Sequence, residues 1–189
     1  MIPAALLEKA RKIAYDEATE YRSPAIAHLD LANAQGQRLA KHSGAREEIV
    51  LLGTLLMDCM LGRALAANAR EKHIDMSAVR AQELMSEFPE VTEEEKQNVL
   101  SCVREHHGAP KFSTLEAEVC CNADCYRFAS VAGILAGVRG LRDMERDELV
   151  KLCSDKADEK WNALTLAVCK RELEPQYRAI KEFLANYRG

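Results

Sequence analysis

Two carboxylates stand where carboxylates are costly. Asp58 falls inside an apolar helical stripe whose positions at helical spacing are Leu51, Thr54, Leu55, Leu61, Gly62 and Leu65. An unpaired charge there would be expensive to bury, so Asp58 calls for a cation, a metal or a strong hydrogen-bond partner. A buried structural salt bridge is the plainer reading. Asp124 repeats the pattern between Cys120, Cys121, Phe128 and Val131, with Arg127 three residues on as a possible partner.

The chain has five histidines. His28 lies among Ala25, Leu31 and Ala32; His73 precedes a helix; His106 and His107 end one, where imidazolium also suits the helix dipole. His42, beside Lys41 and Gly44, reads as a plain helix-end residue. Singly, each is more often structural than a ligand. Several imidazoles together with two improbable carboxylates make the donor set of an intermediate divalent metal.

The order of these residues resembles the HD superfamily of metal-dependent phosphohydrolases. His28 comes first, then Leu55-Leu56-Met57-Asp58, His73, His106-His107 and Ala123-Asp124. The surroundings are similar too: Ser77-Ala78, Ala81 and Leu84 after His73, Val99 and Val103 before His106, and Asn122-Ala123-Asp124 at the end. The resemblance covers residues 28–128. It implies a metal set of His28, Asp58, His73, His106 and Asp124, with His107 as the fallback for His106, and Asp58, His73 and His106 as the catalytic core. It implies a divalent ion as cofactor (Mn, Fe, Mg or Zn). The implied reaction is hydrolysis of a nucleotide or another small phosphate ester or anhydride.

Met57 departs from that pattern, standing where the family has the His of its His-Asp pair. It continues the stripe Ile49, Gly53, Leu56, Met60, which favours core packing, and a thioether is a poor ligand for such metals. By the resemblance, a first metal would use His28, Asp58 and Asp124 and lack one ligand. A second would keep Asp58, His73 and His106. The alternative function is therefore a catalytically impaired HD-fold module that binds a nucleotide or a protein partner. Arg127, Lys72 and Arg104 are candidate phosphate-binding residues, each with a solvated surface charge as the ordinary alternative. Cys121 and Cys125, four apart on one helical face, offer a competing structural-zinc reading, although no CxxC pair accompanies them.

The elements that must position these residues read as helices throughout. Predicted spans are 3–20, 24–43 with Gly44 as its stop, 46–68, 77–88 ended by Pro89, and 92–106 opened by the Thr92–Glu95 capping box. A long helix over 113–141 follows, opened by a second box at Ser113–Glu116, and then helices over 145–172 and 175–187. No strand alternation persists. The expected fold is all-α: one HD-type bundle of about seven to eight helices over 1–189. Its motif-bearing core spans about 24–141, with the helices of 145–187 packed on it.

Composition narrows the classes. Aromatics are only 5% of the chain, so Leu, Ala, Val, Ile and Met must build the core. A net charge of −4 without a basic stripe argues against a nucleic-acid partner. Seven cysteines, an odd number on helical segments, do not form a disulfide framework. The sequence shows no signal-peptide pattern and no apolar run of membrane-spanning length, so the expectation is a cytoplasmic protein with reduced thiols and no membrane partner.

Overall fold

The computed structural model describes residues 1–140 and 144–187. Among these residues there are ten α-helices, one 3-10 turn and no strand. In chain order they are α1 (Ala4–Tyr21), α2 (Ile26–Ser43), α3 (Glu47–Leu56), α4 (Leu61–Ala66), the 3-10 turn (Arg70–Lys72), α5 (His73–Ser86), α6 (Glu93–Glu105), α7 (Leu115–Ala129), α8 (Val131–Gly140), α9 (Arg146–Ala163) and α10 (Ala167–Asn186).

Helix α7 is the axis of the bundle. It packs against α2, α3, α6, α8, α9 and α10, and its side chains are buried almost all round. A helix so enclosed must be apolar on every face, or pair each polar group it carries. Ala117, Cys120, Cys121, Ala123 and Cys125 let its neighbours approach closely. Helix α3 comes closest at Gly53, where a β-carbon would lie 2.5 Å from Cys102 Cβ and 2.7 Å from Cys120 Sγ. A smaller second core, formed by Ile134, Cys153, Ala157, Ile180 and Leu184, joins α8, α9 and α10.

Several helix ends follow their local sequence. Gly44 closes α2 at φ +77°, and Thr92 and Glu95 form the reciprocal box that opens α6. At α7 the cap is Thr114, whose hydroxyl accepts the Ala117 N–H, while Glu116 instead accepts from the Arg46 N–H and from Asn98. Pro24 lies outside α2, which begins at Ile26, and α5 starts earlier than its predicted span, at His73.

The expected count of seven to eight helices is too low, because two predicted helices are broken and the C-terminal boundary is shifted. The 46–68 span divides at residues 57–60, where Ser77 Oγ accepts the Met60 N–H at 3.2 Å. The 113–141 span divides at Ser130, whose hydroxyl donates to the Tyr126 carbonyl and accepts the Gly133 N–H at 3.0 Å. Residues 141–143 lie outside the described residues. In the C-terminal pair, α10 begins at Ala167 and carries Pro175 inside it rather than at its start. Asn122 of α7 sets that boundary by accepting the Thr165 and Leu166 N–H groups at 3.1 and 3.0 Å. The Glu47–Ala66 stretch does reach membrane-spanning length and hydropathy, contrary to the sequence reading; 67% of it is buried inside the bundle.

Candidate metal centre

The turn between α3 and α4 delivers Asp58 to the interior. There it meets His73 from the first turn of α5 and His106 from the end of α6. Each imidazole is oriented by its own backbone. His73 Nδ1 lies 2.7 Å from the Arg70 carbonyl oxygen, and His106 Nδ1 lies 2.7 Å from that of Val103. A carbonyl can only accept, so Nδ1 carries the proton in both rings and Nε2 presents a lone pair. Those two Nε2 atoms face Asp58 Oδ1 at 3.4 and 3.5 Å. His107 has its Nδ1 3.1 Å from Glu159 Oε1, which leaves its Nε2 free as well.

Two imidazole lone pairs turned toward one carboxylate oxygen repel it unless a cation lies between them. Asp58 Oδ1 and His106 Nε2 are buried without a hydrogen-bond partner. Ligand atoms of Asp58, His73, His106 and His107 all lie within 4.8 Å of one another. Nitrogen and carboxylate oxygen donors suit a borderline divalent ion, and Nδ1–H groups tied to backbone carbonyls are the usual outer support of metal-ligating histidine. The residues present fit a metal.

The other two residues of the expected metal set border the same cavity but are committed elsewhere. His28 Nε2 donates to the Gly133 carbonyl oxygen at 2.7 Å, and its ring meets Phe128 edge to face. Burial, reinforced by the Arg127 charge, lowers its pKa to about 4, so it is neutral. Asp124 Oδ1 accepts from Arg127 Nη1 at 2.7 Å, and its Oδ2 lies 2.6 Å from Lys160 Nζ. The same Arg127 nitrogen donates to Asp58 Oδ2. Burial alone would raise both carboxyls. Arg127 holds Asp58 well below the usual range, and Lys160 followed by Arg127 does so for Asp124.

These groups border a cavity of about 310 Å³. Its polar lining includes Asp58, His73, His107, Asp124, Arg127 and Lys160, and its apolar lining includes Pro24, Leu61, Phe128, Met144 and Leu152. Arg22, Arg70 and Lys156 add positive charge around it. Of the three candidate phosphate residues, Arg127 is enclosed between two carboxylates, whereas Lys72 and Arg104 are exposed and do not border the cavity. Met57 is buried. Cys121 and Cys125 are neighbours, yet among the described residues no third metal-binding side chain joins them.

Sequence reasoning overlooked Lys160, Lys156, Arg70, Arg22 and Glu159. Lys160 did leave a signal: Cys153, Ala157, Lys160 and Leu164 form one helical face, and a lysine that continues an apolar stripe needs a buried anion.

The fold and site together define an all-helical protein with a buried Asp–His cluster able to hold a metal ion. No protein-family model matches the chain, and no curated protein sequence matches it. Among solved structures, it is similar to the crystal structure of a structural-genomics target from Lactobacillus plantarum. The TM-score is 0.73 at 18% identity, over 100% of this chain and 97% of that one. That likeness shows a shared fold over the whole length of the chain.

Proposed function

We propose that this chain is an HD-type metal-dependent phosphohydrolase acting on a nucleotide or another small phosphate ester or anhydride. The observation that carries this reading is the convergence of the His73 and His106 Nε2 atoms on Asp58 Oδ1, with both Nδ1 atoms tied to backbone carbonyls. The order of His28, Asp58, His73, His106 and Asp124 supports it, as does a cavity that joins this cluster to an apolar wall and several cations.

Asp58, His73 and His106 would hold the ion, with His107 beside them. A bound divalent ion acidifies a water and polarises a phosphoryl oxygen. The chain's own residues do the rest. Arg22, Arg70 and Lys156 attract and orient an anionic group at the cavity, and the Leu61–Phe128–Leu152 wall receives the organic part and excludes water. Asp58 keeps its charge because Arg127 offsets the cost of burying it.

The second reading is a non-catalytic module that binds a nucleotide or a protein partner. Met57 in place of a histidine and Arg127 wedged between the carboxylates favour it. Mn²⁺-loaded protein should be assayed with p-nitrophenyl phosphate, bis(p-nitrophenyl) phosphate and a panel of nucleotides. Turnover that His73→Ala and His106→Ala remove is expected, with His73→Ala weakening Mn²⁺ binding more than His28→Ala. Mn²⁺ and nucleotide binding without turnover would establish the second reading, and failure to bind any divalent ion would refute the first.

A further inference from the structure

We propose that Arg127 takes the place of a second divalent ion, so that the centre accepts a single metal at Asp58 Oδ1, His73 and His106. The proposal rests on the metal-binding reading above and concerns how many ions the site admits.

Two buried carboxylates from different parts of the fold, Asp58 and Asp124, border one cavity. Such a pair needs a shared cation. The chain supplies one: Arg127 Nη1 donates to Asp58 Oδ2 and, at 2.7 Å, to Asp124 Oδ1. The Arg127 side chain is only 8% exposed, and its Nε is buried without a partner. It stands one turn after Asp124 on α7, so the wedge is built into the helix that carries the carboxylate.

The occupancy of the oxygens then decides what remains. Asp124 has one oxygen against Arg127 and the other against Lys160, and His28 Nε2 is held by the Gly133 carbonyl oxygen. Asp124 thus has a cation beside each oxygen, and His28 has only its Nδ1 uncommitted. Asp58 has one oxygen against Arg127 and one free, and the free oxygen is the one His73 and His106 face. The four charges of Asp58, Asp124, Arg127 and Lys160 cancel. One divalent ion therefore gives this group a net charge of two positives, a match for a dianionic phosphate monoester. Two ions would require the guanidinium to leave.

Mn²⁺ titration of the full chain, with stoichiometry read by calorimetry and elemental analysis, tests the proposal. Electron paramagnetic resonance adds a signature independent of activity. Wild type should bind a single Mn²⁺ with a mononuclear spectrum. Arg127→Ala should bind a second Mn²⁺, give an exchange-coupled spectrum, and gain more thermal stability from Mn²⁺ than wild type does. Asp124→Asn, nearly isosteric, should keep the single ion and the mononuclear spectrum. A wild type that takes up two ions overturns the proposal and leaves the metal-dependent reading standing; one that takes up none overturns both. An Arg127→Ala protein that still binds one ion with unchanged affinity also overturns it. Should Arg127→Ala not fold even with Mn²⁺, Asp124→Asn decides, since loss of the bound ion would show that Asp124 is a ligand.

Discussion

Acidification should destabilise this fold in a window set by buried histidine, before Asp58 or Asp124 is protonated. His28 has a pKa of about 4 in the folded protein against 6.5 as its ordinary value, because burial and the nearby Arg127 charge outweigh the opposite pull of its hydrogen bond to the Gly133 carbonyl. As pH falls through 6.5, the unfolded chain takes up this proton first, so stability declines down to about pH 4 and levels off below it. Integrating that difference gives a loss of about 1.4 kcal/mol at about pH 5.5 and about 2.5 kcal/mol at about pH 4.5, relative to about pH 7.5. His73 and His107 are also held below their ordinary value by burial and add to the same window. Asp58 and Asp124 lie below the ordinary carboxylate value of 3.8, so their contributions are lost only at lower pH. The assay is urea unfolding followed by circular dichroism, with EDTA present so that protons do not compete with a metal. His28→Gln retains an N–H donor for Gly133 and removes the titration. Wild type should therefore lose about 2.5 kcal/mol more than His28→Gln between about pH 7.5 and 4.5. Parallel pH profiles for the two proteins would refute the reasoning.

Three further outcomes are expected. Stripping Mn²⁺-loaded protein with EDTA should lower its melting temperature, since a ligand bound only to the native state stabilises it by mass action; an unchanged melting curve would count against the centre. Met57→Ala should lower stability by about 2–5 kcal/mol as a buried truncation while leaving Mn²⁺ stoichiometry unaltered, checked by denaturant unfolding and metal analysis. Gly53→Ala should cost about 1–3 kcal/mol in unfolding measurements, because its methyl group would collide with Cys102 and Cys120.

The helical class and the two costly carboxylates were legible because each is a local property: apolar residues at helical spacing, with an acid among them. Asp58, His73 and His106 do meet, and the burial of Asp58 and Asp124 could be read from their stripes. The role of Arg127 was only half legible. Its spacing from Asp124 announced one partner, but the second, Asp58, is 69 residues away in sequence, and that contact removes Arg127 from the surface. The helix breaks were hidden for a similar reason. Nothing in Met57-Asp58-Cys59-Met60 is a breaker, and the group that accepts the Met60 N–H is Ser77, from the next long helix. The start of α10 likewise depends on Asn122, over forty residues earlier, which overrides the local pull of Pro175 toward a helix start. Where the partner of a backbone group is remote, the local pattern cannot announce it.

The seven buried thiols make the molecule its own reporter of opening. No sulfur meets a reagent in solution until its surroundings part, and where burial raises a thiol's pKa it also suppresses the reactive anion. Cys153 lies in the small core shared by α8, α9 and α10, whereas Cys59, Cys102, Cys120, Cys121, Cys125 and Cys169 belong to the large one. The kinetics of alkylation at Cys153 against the other six therefore compare the excursions of two layers of a single chain, and do so without any added probe.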